Sequence, residues 1–324
     1  MGLKRFLLIR FAATLFTLFA IVTLLFLIVR LVPGDPTQMF INEAVWSDPA
    51  AIQRQRELWG LNDPIYIQYL RYLWNLVTFQ FGQSFTQGIS VRPIIIDKLL
   101  NTIVMMGPSV VLMVVLGAVW GAVAGWRRGS RFEQISAIVS LATRAVPSFF
   151  LAIIVLMIFS YNLRWFPSGG MVEAGTNLPF LQEIFSLDFL RHLILPTIVL
   201  VLRGANESFL LMRTSIIEVK GEDFFETLWA KGLSEPQVIR HAIRNAILPL
   251  ITYIAVISAF LFEGQVLIET IFAWPGIGRQ IVTSLMDHDY PVAQAGFFLT
   301  ALVVVSMNLV VDVLYGYLDP RVKY

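Results

Sequence analysis

The sequence has no cysteine among its 324 residues, which excludes disulfides, thiolate metal sites and cysteine nucleophiles. Charged residues are also scarce. They make up 14% of the chain, against about 25% in an average soluble domain. The three histidines, His192, His241 and His288, do not have metal-ligand spacing. Because 57% of the residues are hydrophobic, the composition is typical of an integral membrane protein.

A nucleotide-binding loop is also missing. No Gly-x-x-x-x-Gly-Lys-Ser/Thr motif occurs, and although Gly170 and Gly175 have the glycine spacing, Thr176 follows in place of lysine. No catalytic constellation is visible either, so we predict that the chain is not an enzyme and holds no cofactor. The net charge of +2 carries little information, and we expect no nucleic acid as a partner.

Hydrophobic runs dominate what is present. A helix needs about 20 apolar residues to cross a membrane, and six runs meet this length. They are residues 6–32, 102–126, 135–161, 193–212, 247–272 and 292–317. The first run exceeds the roughly 7–15 apolar residues of a signal peptide, so we interpret it as a retained anchor. The sequence therefore predicts an all-α membrane protein with six transmembrane helices.

The positive charges in the flanks of these runs predict the orientation. One side holds thirteen, namely Lys4, Arg5, Arg10, Arg127, Arg128, Arg131, Arg213, Lys220, Lys231, Arg240, Arg244, Arg321 and Lys323. The other holds nine in longer loops, namely Arg30, Arg54, Arg56, Arg71, Arg92, Lys98, Arg164, Arg191 and Arg279. Both termini are therefore predicted to be cytoplasmic.

The chain divides into three parts at this level. Residues 1–32 form the N-terminal segment with the first span, residues 33–98 form a long outer loop, and residues 99–324 form a five-helix core. Within the loop we predict a polar helix over residues 50–58 and an aromatic amphipathic helix over residues 65–81 at the outer interface. This second helix is either a packed cap over the bundle or a platform for an external partner.

A charged stretch on the cytoplasmic side, residues 221–249, interrupts the core and is called the polar segment below. With its flanks it forms a loop over residues 213–249. Phe224, Phe225, Leu228 and Trp229 give its first helix one apolar face, and this helix is predicted to end near Gly232. Ser234 can cap a second helix that tolerates Pro236 in its first turn. Exposed aromatics need a cover, which is either a soluble partner or the bundle itself.

Charges inside the predicted spans are costly and usually face protein or water. Arg203 and Glu207 have the i,i+4 spacing of an internal ion pair. Arg144 lies just before Pro147, where a helix can kink and leave carbonyls free. We interpret Arg144 and Glu263 as candidates for lining a translocation path, and Asp312 as structural.

Several motifs together resemble one transporter family. They are Glu226-Thr227-Leu228 followed by Gly232, then Ala230-Lys231-Gly232-Leu233-Ser234-Glu235, His241-Ala242-x-Arg244-Asn245-Ala246-x-Leu248-Pro249, Pro33-Gly34-Asp35-Pro36, Arg213-x-Ser215-x-x-Glu218-Val219, Glu269-x-x-Phe272-x-Trp274-Pro275-Gly276-x-Gly278, Asp289-Tyr290-Pro291-Val292 and Asp319-Pro320-Arg321. They resemble the permeases of dipeptide, oligopeptide and nickel ABC importers, and the first of the two paired permeases in particular. Thr227 and Leu228 replace the two alanines of the family's usual loop.

The resemblance implies a type I ABC-importer permease in the inner membrane of a bacterial or archaeal cell. Its partners would be lipid, a second homologous permease, two cytoplasmic ATPase subunits that bind ATP and Mg, and an extracytoplasmic substrate-binding protein. The implied coupling residues are Glu222, Asp223, Phe224, Phe225, Glu226, Leu228, Ala230, Lys231, Gly232, Leu233 and Ser234. Peptides are the default substrate, with oligosaccharides and nickel chelates as alternatives. A stand-alone secondary transporter and a membrane enzyme are the competing classes, although no internal repeat supports the first.

Overall fold

A computed structural model describes residues 3–31, 62–176, 178–259 and 266–318. Helices form nearly all the regular structure in these ranges, with one isolated antiparallel bridge between Gln83 and Ser90. The helices are α1 (Leu3–Leu31), α2 (Ile65–Val77), α3 (Val91–Trp126), α4 (Arg131–Ala145), α5 (Ser148–Leu156), α6 (Phe180–Ile184), α7 (Leu187–Val219), α8 (Asp223–Ala230), α9 (Glu235–Ala246), α10 (Leu248–Ala259), α11 (Val266–Ile271), α12 (Ile277–Met286) and α13 (Tyr290–Leu318). A π-helical turn, Met157–Asn162, extends α5.

Four helices in the described ranges are long and apolar enough to cross a membrane, and a bent pair makes a fifth candidate. The four are Leu7–Ile28 within α1, α3, α7 and Tyr290–Val310 within α13. Between α4 and the α5 extension the chain bends by 99°, because Val146, which precedes Pro147, is extended. The predicted kink is thus confirmed. The described part of the predicted span 247–272 consists of α10 and α11.

Helix α3 is longer than the sequence predicted. It begins at Val91 rather than at residue 102, and its 36 residues extend over about 54 Å, well beyond the roughly 30 Å of hydrocarbon. The helix therefore crosses the division that we predicted at residue 98. The predicted helix over residues 50–58 and the motif starting at Pro33 lie outside the described residues.

A stripe of glycines brings α3 against α7. Gly117, Gly121 and Gly125 are spaced four residues apart on one face of α3. A Cβ atom on Gly125 would lie 2.7 Å from the carbonyl oxygen of Arg213 in α7, and Cβ atoms on the other two would collide with α7 carbonyl oxygens as well. The absence of side chains lets the two backbones touch, a packing mode common between membrane helices. The α3–α7 pair forms the centre of the described bundle.

The aromatic helix predicted over residues 65–81 is present as α2, which packs on the outside of this bundle. The hydroxyls of Tyr69 and Thr23 of α1 lie 2.6 Å apart, and buried Leu76 meets Val22 of α1 and Phe298 of α13. One face of α2 thus forms the predicted packed cap. Its opposite face is exposed and apolar, and comprises Ile65, Tyr66, Leu70, Trp74 and Val77.

Candidate functional site

The polar segment folds as two short helices joined by a tight turn. Helix α8 ends at Ala230, and Gly232 follows with a φ of +75°, the left-handed conformation that glycine adopts most readily after a helix. Ser234 then starts α9 through a capping box with Gln237, and Pro236 occupies the first turn. The predictions of a helix end near Gly232 and of a cap at Ser234 are therefore confirmed.

One face of α8 packs against the bundle. Phe225 is buried in a cluster with Met212 and Ile216 of α7 and with Val238 and Ala242 of α9. Three other apolar side chains of α8 and the turn are partly buried against this cluster, namely Phe224, Leu228 and Leu233. The sequence left open whether a soluble partner or the bundle covers the apolar face of α8. For these side chains the cover is the bundle.

The other face of α8 and the turn are open. Glu222, Asp223, Glu226, Ala230, Lys231, Gly232 and Ser234 are exposed. Trp229 is 47% exposed, and its ring meets the edge of the Phe225 ring with centroids 6.5 Å apart. Three of these exposed side chains are acidic. The result is an acidic surface with one accessible indole, presented by a helix whose back is anchored.

Trp126, the last residue of α3, sits beneath the polar segment. Its indole nitrogen donates a hydrogen bond to Glu235 Oε1 at 2.9 Å, and its carbonyl accepts one from Lys220 Nζ at 2.9 Å. The Lys220 ammonium also lies 4.8 Å from the centroid of the indole ring, and the Phe225 ring is 6.0 Å away. The sequence prediction missed Trp126, because no spacing signal links it to partners so distant in the chain.

An ion pair holds the start of α4 to α7 nearby. The guanidinium of Arg213 donates to the Glu133 carboxylate, with Nε at 2.9 Å from Oε1. Glu133 also accepts the backbone N–H of Gly129 at 3.0 Å. Arg213 is the first residue of one of the motifs. Through Glu133, its side chain links the loop after α3 to α7.

An apolar groove of about 690 Å³ runs beside this cluster, between α3, α7, α9 and α10. Valine, isoleucine, leucine and methionine side chains form most of its walls, while Trp126, Arg127 and Glu235 also line it. The groove therefore places an apolar surface next to the contacts of Trp126.

The charges predicted inside the spans pair differently from our expectation. Glu207 bonds Arg144 of α4 at 2.9 Å, with both side chains about half exposed, and Arg203 is exposed. The predicted Arg203–Glu207 pair is therefore wrong, because α4 packs against α7 and its Arg144 pairs with Glu207 instead. Asp312 pairs with Arg10 at 3.2 Å. Glu263 lies outside the described residues.

Two acidic side chains of the motifs, Glu269 and Asp289, form hydrogen bonds that join different elements of the fold. Glu269 of α11 accepts the Thr102 hydroxyl at 2.7 Å and the backbone N–H of Arg279, in the first turn of α12, at 2.7 Å. Nearby, the Trp274 indole donates to the Asn101 carbonyl at 2.8 Å. These bonds join α3, α11 and α12 around the Trp274-Pro275-Gly276 motif.

Asp289, just before α13, is the second of these acids. It accepts the hydroxyls of Ser84 and Thr86 and the backbone N–H of Phe85. This carboxylate fixes the turn that precedes α3 to the start of α13. The motif residues Glu269 and Asp289 are thus explained by the packing of the chain.

A polar cavity of about 590 Å³ opens beside the Trp274-Pro275-Gly276 motif. Asp97, Glu173 and Glu183 contribute carboxylates to its lining. Burial, together with repulsion from Asp97 and Asp188, raises the pKa of Glu183 above its ordinary value. Glu183 therefore takes up a proton at a higher pH than an isolated glutamate does. Among the described residues, no cluster of His, Cys, Asp and Glu could hold a metal ion.

Comparison with known proteins assigns the chain to a family. Residues 115–324 match the model of the "Binding-protein-dependent transport system inner membrane component", and residues 3–106 match the model of the N-terminal part of such membrane components. Both describe a membrane component of a transport system, which confirms the prediction of a transport subunit rather than an enzyme.

Individual relatives agree with this match. The oligopeptide transport system permease protein AppB of Bacillus subtilis (strain 168) is 35% identical over 313 residues, which cover 95% of each chain. The di/tripeptide transport system permease protein DppB of Pseudomonas aeruginosa (strain UCBPP-PA14) is 35% identical over 321 residues, again 95% of each chain. The dipeptide permease DppB of Alkalihalophilus pseudofirmus is 35% identical over 312 residues, 92% of this chain and 93% of the relative. The chain therefore belongs to the family of binding-protein-dependent transport system inner membrane components.

Proposed function

We propose that this chain is one of two homologous permease subunits in an ATP-driven importer, and that α8 couples it to a cytoplasmic ATPase. The open acidic face of α8 is the observation that carries this proposal. A short helix that is anchored through Phe225 and exposes Glu222, Asp223, Glu226 and Trp229 can transmit force to the bundle. The partner surface would supply basic groups for the carboxylates and a pocket for the indole.

The energy would come from outside this chain. Two ATPase subunits would bind ATP with Mg, and their closure would move the paired permeases between inward-facing and outward-facing states. An extracytoplasmic binding protein would deliver the substrate. The excess of Lys and Arg beside the polar segment supports a cytoplasmic position for it and for both termini, with the region from α10 to α11 as the fifth of six spans.

Peptides are the substrates that we propose. The support comes from the relatives, which are named as oligopeptide, di/tripeptide and dipeptide permeases. Oligosaccharides and nickel chelates are the alternatives within the same class of importer. Uptake assays with a labelled dipeptide, an oligopeptide, an oligosaccharide and a nickel chelate separate them, and uptake limited to a non-peptide would contradict the proposal.

We further propose that Arg144 contacts the translocation path. Its ion pair with Glu207 is half exposed at the 99° bend, and a charge at membrane depth requires a watery or protein-lined surface. Glu263 remains a candidate on sequence grounds alone. An Arg144→Gln variant that keeps the wild-type uptake rate and substrate preference would count against this role.

The coupling assignment is tested in the whole complex. A tagged chain is purified from its own cells, the co-purifying proteins are identified, and ATP-dependent uptake is measured in proteoliposomes. We expect Glu226→Lys to reduce recovery of the ATPase, because it reverses one charge on the open face of α8. Asp287→Lys, which reverses an exposed acid after α12, is the matched control and should leave recovery unchanged. Equal recovery with both variants would refute the role of α8.

A further inference from the structure

Trp126 contacts α8 and the residues on both sides of it. Its contacts reach Lys220 immediately before the segment, Phe225 within α8 and Glu235 at the first residue of α9. One residue at the end of α3 thus contacts α8, the helix that we assign to ATPase docking, and a residue on either side of it.

These contacts include directional bonds, which distinguishes them from the surrounding apolar packing. Apolar surfaces attract without a preferred direction, so the cluster around Phe225 permits small sliding movements. The bonds of Trp126 with Lys220 and Glu235 involve charged groups and have defined geometry. In addition, the Lys220 ammonium satisfies a carbonyl at the end of α3 that has no partner within the helix. The bonds therefore fix α3 relative to the end of α7 and the start of α9, which flank α8.

Helix α3 can carry a displacement from Trp126 to Thr102 on the same helix. The glycine stripe presses it against the α7 backbone, so the two helices are expected to move together. About 36 Å along the axis from Trp126, the Thr102 hydroxyl bonds Glu269 and the backbone N–H of Ile277. The helix therefore connects the polar segment with the Trp274-Pro275-Gly276 motif on the far side of the bundle.

We propose that Trp126 is the positioning residue through which movement of the polar segment reaches α3 and, through it, the Trp274-Pro275-Gly276 motif. This inference rests on the proposed function. It predicts that weakening the Trp126 contacts leaves the ATPase bound but lowers the amount of substrate transported per ATP hydrolysed. The ATPase stays bound because docking occurs on the open face of α8, and Trp126 lies behind this helix.

The test compares substrate transported with ATP hydrolysed in proteoliposomes of the whole complex. Trp126→Phe keeps an aromatic ring and removes the indole N–H, and we expect the transport-to-ATP ratio to fall by about fivefold or more. Glu235→Ala should have the same effect, whereas Glu235→Gln keeps an acceptor oxygen and should stay near wild type. Both substitutions remove the same hydrogen bond, the one between Trp126 and Glu235. The double variant Trp126→Phe/Glu235→Ala should therefore have a transport-to-ATP ratio no lower than that of either single variant.

Trp120→Phe is the matched control. Trp120 also lies on α3 and donates a hydrogen bond of 2.9 Å, but to Ser136 of α4. Loss of this hydrogen bond should leave the transport-to-ATP ratio unchanged. An unaffected ratio in Trp126→Phe, or an equal fall in Trp120→Phe, overturns the inference. If Trp126→Phe fails to assemble, Lys220→Met gives the answer, since an unchanged ratio there also overturns it.

The wild-type complex separates this inference from the proposed function. If no ATPase co-purifies with the wild-type chain and uptake does not need ATP, both fail. If the wild-type complex transports normally and the Trp126→Phe ratio equals its ratio, only the role of Trp126 is wrong.

Discussion

At the scale of single residues, Gly232 sets the geometry between the two helices of the polar segment. Its φ of +75° is left-handed, and a Cβ added there would find no atom within 4 Å. The restriction on this position therefore comes from the backbone of the chain and not from crowding by its own side chains. An ATPase that covers the turn could add a second, external restriction.

Two substitutions at Gly232 separate these restrictions. Gly232→Val should strain the turn by about 1–2 kcal/mol and reduce both the thermal stability of the complex and the amount of ATPase recovered. Gly232→Asn adds a side chain of comparable size but tolerates the left-handed region, so we expect it to keep most of the ATPase. Equal loss of ATPase with Asn and Val, at an unchanged stability of the Asn variant, would show instead that the partner contacts the turn at this position.

Local signals explain which residues the sequence could predict. The cap at Ser234, the proline at 236 and the helix end near Gly232 depend on neighbours in the chain, and all three were predicted correctly. Trp126 was missed because its hydrogen-bond partners are 94 and 109 residues away. The Arg203–Glu207 prediction used a spacing that permits a pair on one helix. A competing cation from α4, Arg144, took Glu207 instead, and only the folded chain reveals that approach.

At the scale of elements, the contact between α3 and α7 depends on the absence of side chains. A methyl group on Gly121 would collide with the Phe209 carbonyl oxygen, and the two helices could accept it only by separating. Separation would also disturb the neighbouring contacts of Gly117 and Gly125. The stripe is therefore a packing surface of the described bundle that tolerates no added side chain.

Gly121→Ala should accordingly destabilise the protein by about 1–3 kcal/mol, seen as a lower unfolding temperature in detergent. Val111→Ala is the matched control on the same helix, because the Val111 side chain is exposed. Alanine has a higher helix propensity than valine, so this control should be neutral or slightly stabilised. Equal unfolding temperatures for the two variants would contradict the close approach of α3 and α7.

The elements themselves were largely predictable from hydrophobicity and breakers. Apolar runs located most of the long helices, and Pro147 located the bend between α4 and α5. The early start of α3 was not predicted, because residues 91–101 mix polar and apolar side chains that read as loop. The glycine spacing at 117, 121 and 125 was present in the sequence and could have revealed the α3–α7 contact, since small residues four apart are typical of closely packed membrane helices.

At the scale of the whole molecule, the number of membrane crossings is the property that decides where α8 lies. The described helices supply four or five candidate spans, and the proposed topology needs six. Two regions determine the difference, namely the bent α4–α5 pair and the region from α10 to α11. If either one fails to cross, the parts of the chain on its two sides lie on the same face of the membrane.

The lack of native cysteine makes this topology directly measurable. Single cysteines are introduced at four exposed positions, Arg128, Gln182, Thr227 and Asp287, and intact spheroplasts are treated with a membrane-impermeant maleimide. We expect Gln182→Cys and Asp287→Cys to be labelled in intact spheroplasts, and Arg128→Cys and Thr227→Cys only after permeabilisation. The unmodified chain, which cannot react, gives the background.

Each pair of positions tests one membrane crossing. Arg128 and Gln182 flank the bent pair, so labelling of both or of neither in intact spheroplasts would mean that α4 and α5 form a re-entrant loop. Thr227 and Asp287 flank the region from α10 to α11 and test this crossing in the same way. Labelling of Thr227→Cys without permeabilisation would place α8 outside the cell, where no ATPase could reach it, and would overturn the proposed coupling together with the topology.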